Sequence, residues 1–266
     1  MSGRAQGGDT AAIAPEREVR PRLELLCRGE LLLRREQVFV PGLKGTGTRI
    51  LFASDLHLWG SWTERPATQL AQIAEGARPD IILLGGDLAD VKGGLQRLTD
   101  LVARLRNAAP VYAIPGNHDL IPGERRVRAA VLAGGGAWLP EMSLEIGNAR
   151  EIRVDANIRK TGPDGAVRIL CAHDPGVWPR AREAGYSLVL AGHLHGLQWV
   201  FFRRRGRMFP GAWFWRWNGL RFDAGRSTLI VSRGVSDTFP LRWDCPREVV
   251  LCELLPFNQQ AASRDF

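Results

Sequence analysis

All five histidines of the 266-residue chain sit in short segments rich in Gly, Asp and Asn. The segments are SDLHL (Asp55, His57), GNHDL (Asn117, His118, Asp119), CAHDP (His173) and GHLHG (His193, His195), and a fifth, GGDLAD, adds Asp87 and Asp90. Taken singly, each has an ordinary explanation: Gly-Asp is turn chemistry, and a lone histidine after a strand is usually a hydrogen-bonded structural residue. Taken together they point to a shared metal site. Asp, His and Asn without thiolate suit Mn, Fe or Zn, and they are too many for one tetrahedral zinc with its about four ligands. Two ions sharing one bridging carboxylate would use them all. Such a pair, about 3.5–4 Å apart, can hold a hydroxide and clamp a phosphoryl oxygen during in-line displacement at phosphorus. Cys27, Cys171, Cys245 and Cys252 form no C-x-x-C pair, and three lie in apolar runs. They read as small core residues of a protein kept in a reducing, cytosolic compartment.

The elements that must carry these segments follow from periodicity. Arg49–Ala53 (RILFA), Ile81–Leu84 and Val111–Ile114 are short apolar runs that read as buried strands. Between them, Thr63–Ala77 reads as a helix, and Leu95–Asn107 has apolar residues at 95, 98, 101, 102 and 105, which is helical spacing. A basic helix is expected at Glu124–Leu132. Strands then dominate, at Met142–Ile146, Glu151–Val154, Val167–Ala172, Ser187–Ala191, Leu197–Phe202, Ser227–Val231 and Val249–Leu254. The order predicts an α/β protein of two sheets with helices outside. Ligand residues would then lie at strand ends, where loops converge on a rigid frame. Residues 1–22 read as a disordered lead-in, 23–48 as an edge strand pair around Arg28-Gly29 followed by a loop, 49–256 as the domain, and 257–266 as a tail.

Composition sets outer bounds. A hydrophobic fraction of 45% with 24% charged residues excludes disorder as the main state. No stretch approaches the roughly 18 consecutive apolar residues of a membrane span, and the first 22 residues lack the apolar core of a secretory signal. The formal charge is +8, and all the basic residues except Lys44, Lys92 and Lys160 are arginine. The excess permits attraction to an anionic surface or substrate.

The ordered set D-x-H, G-D-x-x-D, G-N-H-D, a solitary His and G-H-x-H resembles the calcineurin-like metallophosphoesterases over about residues 49–256. The segments AGHLHGLQ, STLIVSRGV and FPLRWDCPREVVLCEL resemble its bacterial YkuE/YaeI-like branch, which includes a UDP-2,3-diacylglucosamine pyrophosphatase acting at the inner membrane. The resemblance implies a four-layer αββα sandwich of two mixed sheets. It also implies one ion held by Asp55, His57, Asp87 and His195 and a second held by Asp87, Asn117, His173 and His193. His118 would act on the substrate, stabilising developing charge and protonating the leaving group, with Asp90 paired to it to keep it cationic. Asp119 would orient the site from behind.

Substrate class is read from the remaining features. Trp59 and Trp62 follow SDLHL and are candidate substrate contacts, as is Arg233, whose planar fork suits a phosphate. The stretch 199–217 (WVFFRRRGRMFPGAWFWRW) mixes four Trp and four Phe with five Arg. Three readings stand for it. It is a buried strand followed by a charged loop, or a hairpin that puts Trp213, Trp215 and Trp217 into lipid while Arg203, Arg204 and Arg205 meet phosphates. The third and least favoured is a stacking platform for single-stranded nucleic acid. The expected function is two-metal hydrolysis of a phosphoester or pyrophosphate bond, on a lipid-linked substrate at the cytoplasmic membrane face. The alternatives are a soluble nucleotide phosphodiesterase and a non-catalytic metal-binding interaction module.

Overall fold

Side-chain alternation along the strands builds the layers. In the segment RILFA, Ile50 and Phe52 point to one face and Leu51 and Ala53 to the other, and all four are buried. A strand apolar on both faces must be covered on both. The computed structural model describes residues 23–43, 47–147, 151–160 and 165–257. The expected lead-in 1–22, residues 45 and 46 of the Gly45–Gly47 loop, and all of the tail but Phe257 lie outside the described residues.

Among the described residues the strands are β1 (Leu23–Leu25), β2 (Leu32–Val40), β3 (Thr48–Ala53), β4 (Ile81–Gly85), β5 (Val111–Ile114), β6 (Ala137–Trp138), β7 (Leu144–Ile146), β8 (Ile152–Asp155), β9 (Val167–Cys171), β10 (Leu188–Ala191), β11 (Val200–Arg204), β12 (Arg207–Pro210), β13 (Arg221–Ala224), β14 (Ser227–Val231), β15 (Leu241–Trp243) and β16 (Glu248–Pro256). The α-helices are α1 (Glu64–Ala77), α2 (Leu95–Arg106), α3 (Glu124–Ala133) and α4 (Trp178–Glu183). One six-stranded sheet runs β2-β16-β3-β4-β5-β6 and the other β13-β14-β10-β9-β8-β7. Both are mixed: β3 to β6 are mutually parallel while β16 runs against β3, and β8, β9, β10 and β14 are parallel with antiparallel edges at β7 and β13.

Three apolar layers hold the sandwich together. Between the sheets, Ile50, Phe52, Ile81 and Leu83 face Ile169, Cys171, Leu188, Leu190 and Ile230. Outside the first sheet, Leu51, Ala53, Ile82 and Leu84 meet Leu70 and Ala74 of α1, Leu98, Leu101 and Leu105 of α2, and Val127 and Val131 of α3. Outside the second, Leu170, Val189, Leu229 and Val231 meet Trp178 and Ala181 of α4. Each such large side chain contributes about 1.5–3 kcal/mol by leaving water. The expected αββα architecture is therefore the one observed.

The corrections are local. Residues 23–40 do not pair with each other: β1 pairs with β15, and β2 lies parallel to β16 as the edge of the first sheet. β1 and β2 lie in different sheets, so Arg28-Gly29 closes no hairpin between them. The strand expected at Leu197–Phe202 begins only at Val200, because Leu197 and Gln198 hold left-handed backbone (φ 63° and 59°). Five elements, β6, β12, β13, β15 and α4, carry no periodic signal that announces them. The strands have two to four residues, too few to show a period, and α4 has six residues with Pro179 in its first turn.

Candidate metal centre

Parallel strands deliver their C-terminal ends to one edge. There β3 presents Asp55 and His57, β4 Asp87 and Asp90, β5 Asn117 and His118, β9 His173, and β10 His193 and His195. The loops are laced together across the sandwich: Asp55 N–H donates to Gly86 O, His57 N–H to Asp87 O, Gly192 N–H to His173 O, and Ser236 N–H to Asp55 O. Two glycines are there because nothing larger fits. A methyl group on Gly116 would come within 2.2 Å of Asp87 Oδ1, and one on Gly192 within 2.5 Å of Asp55 Oδ2.

Five of the side chains aimed at this edge come from residues with left-handed backbone, Asp55 (φ 57°), His57 (42°), Asp87 (53°), His193 (70°) and His195 (49°). Such conformations cost about 1–3 kcal/mol each in non-glycine residues and gather at functional sites. Asp55, His57 and Asp87 are also buried.

The donor atoms converge on two points. At the first, His57 Nε2 and His195 Nε2 lie 3.1 Å apart, with Asp55 Oδ1 3.4 Å from His195 Nε2. At the second, His173 Nε2 lies 3.0 Å from Asn117 Oδ1, 3.2 Å from Asp87 Oδ2 and 3.2 Å from His193 Nδ1. Asp87 Oδ2 is 3.9 Å from His57 Nε2, so it stands between the two points. Metal bonds of about 2.0–2.2 Å put neighbouring ligand atoms about 3.0–3.5 Å apart at octahedral to tetrahedral angles. The observed spacings match the edge lengths of such shells. Among the described residues, Asp55/His57/His195 and Asp87/His173/His193 form groups that could hold a metal ion, and His57/Asp90/His118 is a third such group.

Outer contacts set the tautomers. His57 Nδ1–H donates to Asp90 Oδ1 at 2.8 Å and His173 Nδ1–H to Gly85 O at 2.9 Å, which leaves each Nε2 lone pair facing the centre. Burial lowers the pKa of His195 well below the ordinary value, with His57 and Arg242 adding to it, so that ring is neutral as a ligand must be. For His173 burial is outweighed by the carboxylates of Asp87 and Asp55, which lift its pKa to about 9, so an ion would have to displace a proton from Nε2 to use that lone pair. For Asp87 burial is outweighed by His173 and by the His118 N–H it accepts, and its pKa falls.

Asp119 is buried and accepts the N–H groups of Leu88, Ala89 and Gly116, locking the β4 and β5 loops to each other. Asp90 is shared. Its Oδ1 makes its hydrogen bond with His57, while His118 Nδ1 lies 3.3 Å from the same oxygen without completing one. The expected Asp90–His118 pair is therefore present at ion-pair distance, and the same oxygen also accepts from His57, a second partner that the sequence reading did not include.

The substrate contacts divide. Trp59 and Trp62 are exposed and pack edge to face, with ring centroids 4.5 Å apart. Arg233 is 6% exposed, and its Nε and Nη2 both donate to buried Glu248. A fork spent on a buried carboxylate is a structural pair, so the phosphate role expected for Arg233 is corrected. In the 199–217 stretch, Val200 supplies the core contact, with Met208 and Cys245. Trp217 packs on Trp178 and Phe222 in the core outside the second sheet, which corrects its assignment to lipid. Trp213 and Trp215 are exposed together with Phe214, Phe201 and Phe202. Arg203 is paired with Asp244, whereas Arg204 and Arg205 are exposed at the tip of the β11–β12 hairpin. Sequence reasoning passes over Thr238, whose Oγ1 lies 3.3 Å from His57 Nε2 and 3.1 Å from His195 Nε2. No motif marks it.

Known proteins can be set beside this geometry. Phosphodiesterase YaeI of Escherichia coli is 26% identical over 224 residues, covering 78% of this chain and 82% of that one. The uncharacterized metallophosphoesterase YkuE of Bacillus subtilis is 24% identical over 233 residues, covering 80% of each. A crystal structure of TT1561 from Thermus thermophilus superposes with a TM-score of 0.46 at 14% identity, covering 72% of this chain and 91% of that one. The Calcineurin-like phosphoesterase family matches residues 48–197, a span that takes in every strand-end segment of the centre. With more than half its length inside that match, the chain belongs to the calcineurin-like phosphoesterases and is a metal-dependent hydrolase of phosphoester bonds.

Proposed function

We propose that the centre holds two divalent ions, Mn, Fe or Zn, one on Asp55, His57, Asp87 and His195 and the other on Asp87, Asn117, His173 and His193. The observation that carries this is the pair of donor clusters at coordination-edge spacing with Asp87 Oδ2 between them. When bound, such ions supply positive charge to a phosphoryl group and lower the pKa of water to near neutrality. The chain's own residues do the rest. His118 stands beside the first point, its ring centroid 4.8 Å from that of His57, partly exposed toward solvent and so toward substrate. As the P–O bond to the leaving group breaks, His118 gives that oxygen a proton, and Asp90 orients the rings of both His57 and His118 through one carboxylate oxygen. Asp119 keeps the turn bearing Asn117 and His118 in register with Asp87.

The substrate we favour is a lipid-linked phosphate or nucleotide-diphospho-lipid reached at the cytoplasmic membrane face. The support is the exposed apolar surface. Trp213 and Phe214 are 67% and 71% exposed beside Trp215 and the hairpin residues Phe201 and Phe202. Leu120 and Ile121, next to His118, and Phe239, next to Thr238, are each about two-thirds exposed. Apolar side chains left in water in such number mark an interaction surface, and arginines beside aromatics suit a phosphate-bearing interface. Among the described residues no helix is long and apolar enough to cross a membrane.

The test measures metal-dependent hydrolysis of bis-p-nitrophenyl phosphate and of a UDP-diacylglucosamine in detergent micelles, in parallel. The lipid is expected to be preferred, and the preference to vanish in the triple variant Trp213→Ser, Phe214→Ser, Trp215→Ser while turnover of the soluble ester stays unchanged. Soluble-ester turnover by wild type equal to or better than its lipid turnover, with the lipid rate indifferent to the triple substitution, would replace this reading with a soluble phosphodiesterase.

A further inference from the structure

We propose that Thr238 is a ligand to the ion held by Asp55, His57 and His195, delivered by a loop that lies outside every metal-binding motif of the chain. This rests on the two-ion reading above. Thr238 Oγ1 is 3.3 Å from His57 Nε2 and 3.1 Å from His195 Nε2, and those nitrogens are 3.1 Å from each other. The three atoms form a nearly equilateral triangle with the edge length of a coordination shell built on bonds of about 2.0–2.2 Å. A hydroxyl oxygen is a fit donor for the borderline and hard ions that an Asp/His set selects.

The loop is built to hold that hydroxyl in place. Thr238 is itself exposed, yet both its neighbours are tied down from inside the protein. On one side, buried Asp237 pairs with Arg242, which has no exposed surface. Arg242 also donates to Arg233 O, Cys245 O and Ser236 O, and its Nη2 lies 3.2 Å from His195 Nδ1. On the other side, buried Gln198 accepts from Phe239 N–H and donates to Phe239 O and Leu241 O. Gln198 comes two residues after GHLHG and holds left-handed backbone, φ 59°. The segment that carries His195 therefore also clamps the loop that carries Thr238. A surface threonine fastened at both flanks by buried polar side chains, with its oxygen against two ligand nitrogens, has been positioned. A merely solvated loop residue requires none of this.

The experiment is Mn²⁺ binding to metal-stripped wild type, Thr238→Val and Thr238→Ser, followed by calorimetry and by the metal content of dialysed protein. Valine keeps the shape and removes the oxygen; serine keeps the oxygen. Wild type is expected to take two ions. Thr238→Val should weaken one of the two affinities by about 10–100-fold, the range seen when a contact supporting a metal site is lost, and Thr238→Ser should recover most of that loss. Unchanged affinities in Thr238→Val would overturn the proposal. So would an equal fall in both affinities, which would mean the loop acts only on overall geometry. Failure of wild type to take two ions would defeat the two-ion reading instead, and the valine–serine comparison on whichever ion binds would still decide Thr238.

Discussion

The histidine-bearing edge and the β11–β12 hairpin invert the usual placement of side chains in opposite ways. At the edge, charged and polar groups are buried: Asp55, His57, Asp87, Asp119 and His195 all lie inside. At the hairpin and the turn after it, Phe201, Phe202, Trp213, Phe214 and Trp215 lie outside. Burying a charge is costly unless it is paired, and a cluster of exposed aromatics is costly unless it is covered. On the reading proposed above, cations complete the first region and an apolar partner covers the second. Their backbones differ too. Left-handed Arg205 and Gly206 at the hairpin tip (φ 50° and 72°) are what a two-residue hairpin turn demands. Left-handed Asp55, His57, Asp87, His193 and His195 answer to no hairpin geometry and are explained by where their side chains must point.

The comparison can be broken from the edge first. Asp87→Asn removes the carboxylate whose Oδ2 lies 3.2 Å from His173 Nε2 and 3.9 Å from His57 Nε2, and it should abolish metal pairing and hydrolysis together, by metal analysis and turnover. His118→Ala should leave metal content unchanged and slow turnover by about 10²–10⁴-fold. Metal loss in that variant would make His118 a ligand rather than the proton donor. At the second sheet, Arg233→Ala should act on stability, costing about 3 kcal/mol in denaturant unfolding, because fully buried Glu248 loses its two-pronged partner and keeps only the Arg34 ion pair and one backbone N–H. Normal stability with a raised KM would restore Arg233 to the substrate. The smallest effects should separate the tryptophans. Trp217→Ala, which opens a gap against Trp178 and Phe222, should cost about 2–4 kcal/mol. Trp213→Ala, at an exposed position, should stay within about 0.5 kcal/mol.

The centre is legible in the sequence because its chemistry is local. Each ligand segment is a strand end plus a tight turn, and short apolar runs such as RILFA and STLIV announce the strands that carry them. The same locality fails where partners are distant in sequence. Residues 23–40 read as pairing with themselves because adjacent strands usually do, whereas β2 pairs with β16 more than two hundred residues away. Arg233 has the chemistry of a phosphate contact, but Glu248, fifteen residues on, takes up its fork. Family spacing matches Asp90 to His118, and His57 is nearer. Among nine tryptophans, nothing in composition separates Trp217, packed on Trp178, from Trp213, standing in water.

By itself the sequence determined the fold class and the family, and it named the residues proposed for the metal centre. Strand periodicity and Gly/Asp/His turns are written within a few residues, and their order along the chain is as informative as their identity. Only the tertiary structure decided which carboxylate meets which imidazole, which arginine is spent inside, and that Thr238 stands against two ligand nitrogens. Those outcomes depend on which remote loops a sandwich brings together at one edge, and hydrogen-bond and ligand-edge distances there are set by packing rather than by spacing along the chain.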